Sequence, residues 1–189
     1  MIDHKRKLLF IHIARTGGSS VETALVGGDW WTIDPGSKHI SASQARALYG
    51  EEIWQSYTKF SIVRNPWDRL VSMWATGWWW GATTHLKGKE PPSFQHFLMT
   101  LQPHPHEFYR SLHYHEILDE PLDAIIRFEN LEAGFEQLMN SVNVNGEAVQ
   151  LPHVQRRARA AYSDYYDDAT RQLVAERYSR DIAAFGYEF

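Results

Sequence analysis

Apolar residues along the chain gather in short blocks separated by glycine, proline and small polar residues. Leu8–Ile13 is a compact apolar run of strand length, interrupted only by His12, and it stops at Arg15-Thr16-Gly17-Gly18-Ser19-Ser20. Ser20–Leu25 then has the composition of a helix start, with Ser19 or Ser20 near its cap. Lys59–Val63 repeats the plan: a strand-like run, a break at Arg64-Asn65-Pro66, and a stretch from Trp67 to Trp80 free of Pro and Gly except for Gly77. Between the two, Trp30–Pro35 reads as a short strand and Ser41–Tyr49 as a helix capped by Ser41 or Ser43 and ended by Gly50. Further on the pattern predicts a helical window at Phe94–Leu101, a strand at Ala124–Arg127, a helix at Leu131–Val142 and a long amphipathic helix over Asp167–Phe185.

Strand and helix alternate, which predicts an α/β fold with a central parallel sheet and helices on both faces. No repeat, low-complexity tract or linker divides the sequence, so a single domain over 1–189 is expected. Residues 81–105, rich in Gly, Pro, Thr and His, read as an excursion on the rim of the sheet, where specificity is commonly carried, within an expected acceptor-side insertion over 77–115.

Charge and composition narrow the function. The 19 Lys and Arg against 23 Asp and Glu give a net charge of −4, so no global positive field exists to hold nucleic acid or an anionic membrane. Any anion must be bound locally. Zero Cys excludes thiolate catalysis and Cys-based metal sites. The apolar run near the N-terminus is short, carries His12 and lacks a cleavage pattern, and no stretch approaches the roughly 18 apolar residues of a membrane span. A soluble, cytoplasmic chain is the expectation.

Ligands of a parallel sheet bind beyond the carboxyl ends of its strands, where helix N-termini also point. Both sequence breaks fall there. Thr16-Gly17-Gly18-Ser19-Ser20 supplies two glycines, two serine hydroxyls and the positive end of a helix, the parts of a phosphate cradle, although neither the Gly-x-x-x-x-Gly-Lys-Ser/Thr loop nor the Gly-x-Gly-x-x-Gly fingerprint is present. A plain tight turn is the competing reading. In the second break, Arg64 ends the strand, and a helix from Pro66 carries Ser72 about 9 Å along its axis, where the two can share an anion.

Phe10-Ile11-His12-Ile13-Ala14-Arg15-Thr16-Gly17-Gly18-Ser19-Ser20, followed by Phe60-Ser61-Ile62-Val63-Arg64-Asn65-Pro66-Trp67-Asp68-Arg69-Leu70-Val71-Ser72, resembles the paired donor-binding motifs of the sulfotransferase family, in its carbohydrate-type branch and small soluble bacterial relatives. Arg127-Phe128-Glu129-Asn130-Leu131 and the C-terminal segment resemble that branch as well. The resemblance implies a three-layer α/β/α fold akin to nucleotide kinases, with 3′-phosphoadenosine 5′-phosphosulfate (PAPS) as donor and 3′-phosphoadenosine 5′-phosphate (PAP) as product. It assigns the 5′-phosphosulfate to Arg15, Thr16, Gly17, Gly18, Ser19 and Ser20, and the 3′-phosphate to Arg64 and Ser72, with Arg156 or Arg157 able to reach it from a loop over the nucleotide. Where the family usually has Pro-Lys before Thr-Gly-Gly, this chain has Ala14-Arg15; Arg keeps the charge on the leaving phosphate but is larger and cannot give up a proton.

A hydroxyl acceptor also needs a general base. His39, just before a helix, titrates near neutral pH, and some carbohydrate sulfotransferases are similar in carrying a base histidine after the second strand; Glu22, one turn past the cradle, is the alternative. Trp78, Trp79 and Trp80 cannot all face inward on a helix, so at least one is a candidate platform for a sugar or aromatic acceptor. The pairs His104/His106 and His113/His115 give weak grounds for a metal, and none is expected in the reaction. The expected activity is sulfuryl transfer to a hydroxyl or amine on a carbohydrate or small aromatic-bearing molecule. Its competitors are a nucleotide-dependent phosphotransferase and a nucleotide- or glycan-binding module whose catalysis has lapsed.

Overall fold

A computed structural model describes residues 1–76, 92–101, 112–142, 149–152 and 160–189. In chain order its elements are β1 (Ile2–Asp3), β2 (Leu8–Ile11), α1 (Gly18–Val26), α2 (Trp30–Ile33), α3 (Ala42–Tyr49), α4 (Glu51–Ser56), β3 (Thr58–Val63), α5 (Pro66–Ala75), α6 (Phe94–Thr100), α7 (Tyr114–Ile117), β4 (Ala124–Arg127), α8 (Leu131–Val142), α9 (Asp168–Arg177) and α10 (Ser179–Phe185). They fall into two compact units, Met1–Val63 with Glu116–Arg157 and Arg64–His115 with Ala158–Phe189.

The first unit holds a four-stranded sheet in the order β1-β2-β3-β4. Strands β2, β3 and β4 run parallel, with Phe10 opposite Phe60 and Val63 opposite Arg127, and β1 adds an antiparallel edge through Ile2 and Leu9. That edge is a short hairpin that the apolar pattern does not signal: Asp3 accepts the N–H groups of Lys5 and Arg6, and Lys7 turns through the left-handed region at φ 52°. Every residue of β2 is buried, as a strand covered on both faces requires, and Phe10 stacks on Phe60 with ring centres 4.8 Å apart. Val21, Leu25, Trp54, Phe135 and Leu138 from the surrounding helices complete this core. The parallel register brings the carboxyl ends of all three strands to one edge of the sheet.

The second unit is helical. Asn65 caps α5 by accepting from the N–H groups of Trp67 and Asp68, and Pro66 occupies the first turn, where a missing N–H costs nothing. Trp67, Leu70, Val71 and Met73 on α5 pack with Phe94, Phe97, Val174 and Tyr178. Trp74 lies edge-on to Phe94 and Tyr165 and donates to the Pro92 carbonyl at 2.9 Å, so it is part of the packing.

Three expectations are corrected. Trp30–Pro35 is not a strand, because Asp29 accepts the Trp31 N–H and starts the single helical turn of α2, with a 3-10 turn at Pro35–Ser37 after it. Asp167–Phe185 is two helices, since Tyr178 takes ψ 18° between α9 and α10 and buries its ring there. Helix α1 begins two residues earlier than its serines suggest, at Gly18, with Gly17 in the cap position. Among the described residues no helix is long and apolar enough to cross a membrane.

Candidate functional site

The first loop beyond the sheet is built on backbone conformations that few residues tolerate. Arg15 lies at φ 68° and Gly17 at φ 87°, both left-handed, a region that costs a residue with a Cβ about 1–2 kcal/mol. At Gly17 a side chain would also press on Phe128 and Leu131 at 3.0 Å. At Gly18 the exclusion is stronger: a Cβ there would fall 2.2 Å from the His12 ring. Gly18 therefore lets the backbone lie directly on the His12 imidazole just past β2, and Gly17 lets it turn against Phe128 and Leu131.

Helix α1 starts without a side-chain cap and without an acidic residue in its first turn. Its leading N–H groups and the positive end of its dipole are thus not answered by a carboxylate or hydroxyl of the cap, the arrangement that receives oxyanions. Ser19 and Ser20 are half-buried in that first turn. Thr16 differs: it is fully buried and its hydroxyl donates to the Ile13 carbonyl at 2.8 Å, so its side chain braces the loop.

Behind the loop lies a buried polar network. His12 Nδ1 meets Glu22 Oε1 at 2.6 Å, and Glu22 Oε2 accepts from the Trp30 N–H at 3.1 Å and from Lys38 Nζ at 2.7 Å. Lys38, 2% exposed, also pairs with Asp29 and lies over the Trp31 ring. Burial holds the His12 imidazole below its ordinary value despite the pull of Glu22, so His12 is neutral and donates to the carboxylate. Burial alone pushes the Glu22 carboxyl up, but the hydrogen bonds from His12, Lys38 and Trp30 outweigh it and hold the group at about 2.

That value fixes an acid dependence. Glu22 ionises at about 2 in the folded chain against an ordinary 4.5, so its stabilisation is complete above pH 4.5 and is lost as pH falls toward 2. The difference corresponds to about 3 kcal/mol. Glu22→Gln is expected to lose about that much stability at neutral pH and to shed this part of the acid dependence. Urea unfolding followed between neutral pH and pH 3 measures both; equal pH slopes for the two proteins would contradict it.

His39 sits against the same network. Its Nδ1–H donates to the His12 backbone carbonyl at 2.9 Å, and its ring lies 4.4 Å from the His12 ring and 5.6 Å from Trp31. The bond to a carbonyl fixes the tautomer: the proton is on Nδ1 and the lone pair on Nε2. Burial pushes His39 well below its ordinary value, and the neighbouring His12 adds to the shift, so the ring is a neutral acceptor at physiological pH.

In the second unit, Arg64 is 7% exposed. Its Nε and Nη2 both reach Asp68 Oδ2, at 2.8 and 2.7 Å, one helical turn along α5. The Tyr114 hydroxyl donates to the Arg64 carbonyl at 2.6 Å. The guanidinium is therefore held by its side chain and its backbone. Ser72 lies on the buried side of α5.

Arg15 through Ser20, Glu22 and His39 thus belong to the first unit, and Arg64 and Ser72 to the second. Trp78, Trp79, Trp80, Arg156 and Arg157 lie outside the described residues. The sequence reading missed Lys38 and Asp29, and it noted His12 only as a polar interruption in an apolar strand. That interruption was a usable signal, since a buried imidazole needs a partner; Lys38 carried none, because its partners are 16 and 9 residues away.

The family model described as "Sulfotransferase family" matches residues 1–188. No curated protein and no solved structure matches the chain.

Proposed function

The chain belongs to the sulfotransferase family, and from that premise we propose that it transfers the sulfuryl group of PAPS to a hydroxyl, or an amine, on a carbohydrate or a small aromatic-bearing acceptor. The observation that carries the proposal is the start of α1, where glycines at positions a Cβ would fill lead into an uncapped helix with no acid in its first turn. A phosphosulfate group fits such a cradle.

When bound, the donor supplies an activated sulfuryl group. The chain's own residues do the rest. The N–H groups at Gly18, Ser19 and Ser20 and the hydroxyls of the two serines bind the 5′ end, while Arg64 and Ser72 bind the 3′-phosphate. His39 Nε2 takes the proton of the acceptor hydroxyl as it attacks, and the His12 carbonyl steadies the imidazolium that forms, through the Nδ1–H bond. Glu22 is assigned a positioning role: its carboxylate is enclosed and already accepts three hydrogen bonds, so it anchors His12 and leaves the base to His39. Lys38 neutralises that anchor.

Arg15 is assigned the charge on the leaving phosphate. A left-handed backbone at a residue that could be glycine is a cost without return unless the side chain is used. Arg15→Ala is accordingly expected to lower kcat by about 10²–10³-fold with PAP affinity changed only a few-fold, following the cost of removing one preorganised charge or donor. Release of PAP from PAPS with a panel of sugars and phenols tests activity and variant together. Undiminished turnover in Arg15→Ala would remove this role, and no acceptor-dependent release by the wild type would favour the lapsed binding module instead. A soluble cytoplasmic enzyme acting without nucleic acid or membrane partners completes the proposal.

A further inference from the structure

His113, His115 and Asp181 bring two imidazoles and a carboxylate together in the second unit, with one ligand atom from each lying within 4.8 Å of the others. We propose that this cluster is a binding site for a divalent transition-metal ion of the zinc type, structural in role and independent of the donor-site reading. Asp181 Oδ1 lies 2.8 Å from His115 Nδ1, and Oδ2 lies 3.6 Å from His113 Nδ1. With one ligand atom taken from each residue the separations extend to 4.8 Å, against an edge of about 3.3 Å in a tetrahedron whose metal–ligand bonds are about 2.0 Å, so the two partly exposed imidazoles would turn inward to close on the ion.

The donor set selects the class. Two nitrogens and one carboxylate oxygen suit zinc and its neighbours, whereas calcium and magnesium call for a shell of oxygens. Asp181 is 1% exposed and accepts the backbone N–H groups of Tyr114 at 2.8 Å and His115 at 3.1 Å, which orient the carboxylate and still leave each oxygen a lone pair for the ion. The two imidazoles are about a quarter exposed, so the ion can enter from solvent. On binding, each ligating Nδ1 presents its lone pair to the metal and the ring proton resides on Nε2.

The Tyr178 ring packs beside His113, with ring centres 4.9 Å apart. The site would also clamp both flanks of Tyr114, whose hydroxyl holds the Arg64 backbone, and so tie α10 to the segment that fixes that arginine.

The test uses the whole chain. Zn²⁺ is added to metal-stripped protein, excess is removed by dialysis, and retained zinc is counted for the wild type and for the double variant His113→Gln/His115→Gln. One equivalent retained by the wild type and lost at least tenfold by the variant, with a Zn²⁺-dependent rise in melting temperature present only in the wild type, supports the site. No retention by the wild type, or equal retention by both, overturns it and leaves a hydrogen-bonded cap on α7. Should the variant not fold, Co²⁺ titrated into the wild type decides: broadening of the His113 and His115 imidazole resonances ahead of the other histidines supports the site, and broadening elsewhere first overturns it.

Discussion

His39→Ala is expected to lower kcat by about 10²–10⁴-fold, the usual contribution of a positioned general base, while PAP affinity stays within a few-fold of the wild type. The expectation rests on the fixed tautomer, with Nδ1–H on the His12 carbonyl and the lone pair on Nε2. The pH profile provides a second readout. Because burial places the His39 value well below 6.5, the active neutral form dominates throughout the neutral range. The rate of the wild type should be flat from pH 7 upward to the onset of other ionisations, and it should fall only below pH 6.5, as the ring gains a proton. Steady-state kinetics of wild type and His39→Ala between pH 5 and 9 measure both. A variant that keeps most of its rate across that range would transfer the base role elsewhere, with Glu22→Gln as the next test.

Arg64→Ala is expected to weaken PAP about 100-fold or more and to abolish the preference for PAP over adenosine 5′-monophosphate. Removing one partner of a buried charge-assisted contact costs about 2–5 kcal/mol, and Asp68, which receives two of the guanidinium's N–H groups, now holds that arginine in place. Arg64→Lys separates charge from geometry: a lysine can supply the charge but not the paired contact to Asp68, so it should recover only part of the affinity. Equal PAP affinity in wild type and Arg64→Ala, with both proteins folded, would remove Arg64 from the donor site.

Much of the architecture was legible because it is locally encoded. Ala124–Arg127 and Leu131–Val142 have the bounds that apolar blocks and a helical stripe predict, and Ser41 caps α3 with Gln44 closing the capping box. The failures are places where a single side chain overrides the local pattern. Asp29 turns Trp30–Ile33 into a helical turn, and Tyr178 breaks what periodicity reads as one helix. The serines misplace the start of α1 because serine is the commoner cap, whereas here the cap is Gly17, at φ 87° and pressed against Phe128 and Leu131, where only glycine fits.

The same division holds for the candidate site. Glycines, a strand-ending arginine and a histidine before a helix are visible as residues in a row. The network behind them is not, because His12, Glu22 and Lys38 meet only after β2, α1 and the turn before α3 have packed. Long-range pairing of buried charges has no local period to read.

Calorimetric titration of the wild type with PAP, alongside adenosine 5′-monophosphate and ATP, tests the donor assignment most directly. The account predicts that PAP binds at least tenfold more tightly than either control, the difference coming from the 3′-phosphate. Indifference to the 3′-phosphate, or a preference for ATP, would contradict it and turn the reading toward phosphotransfer.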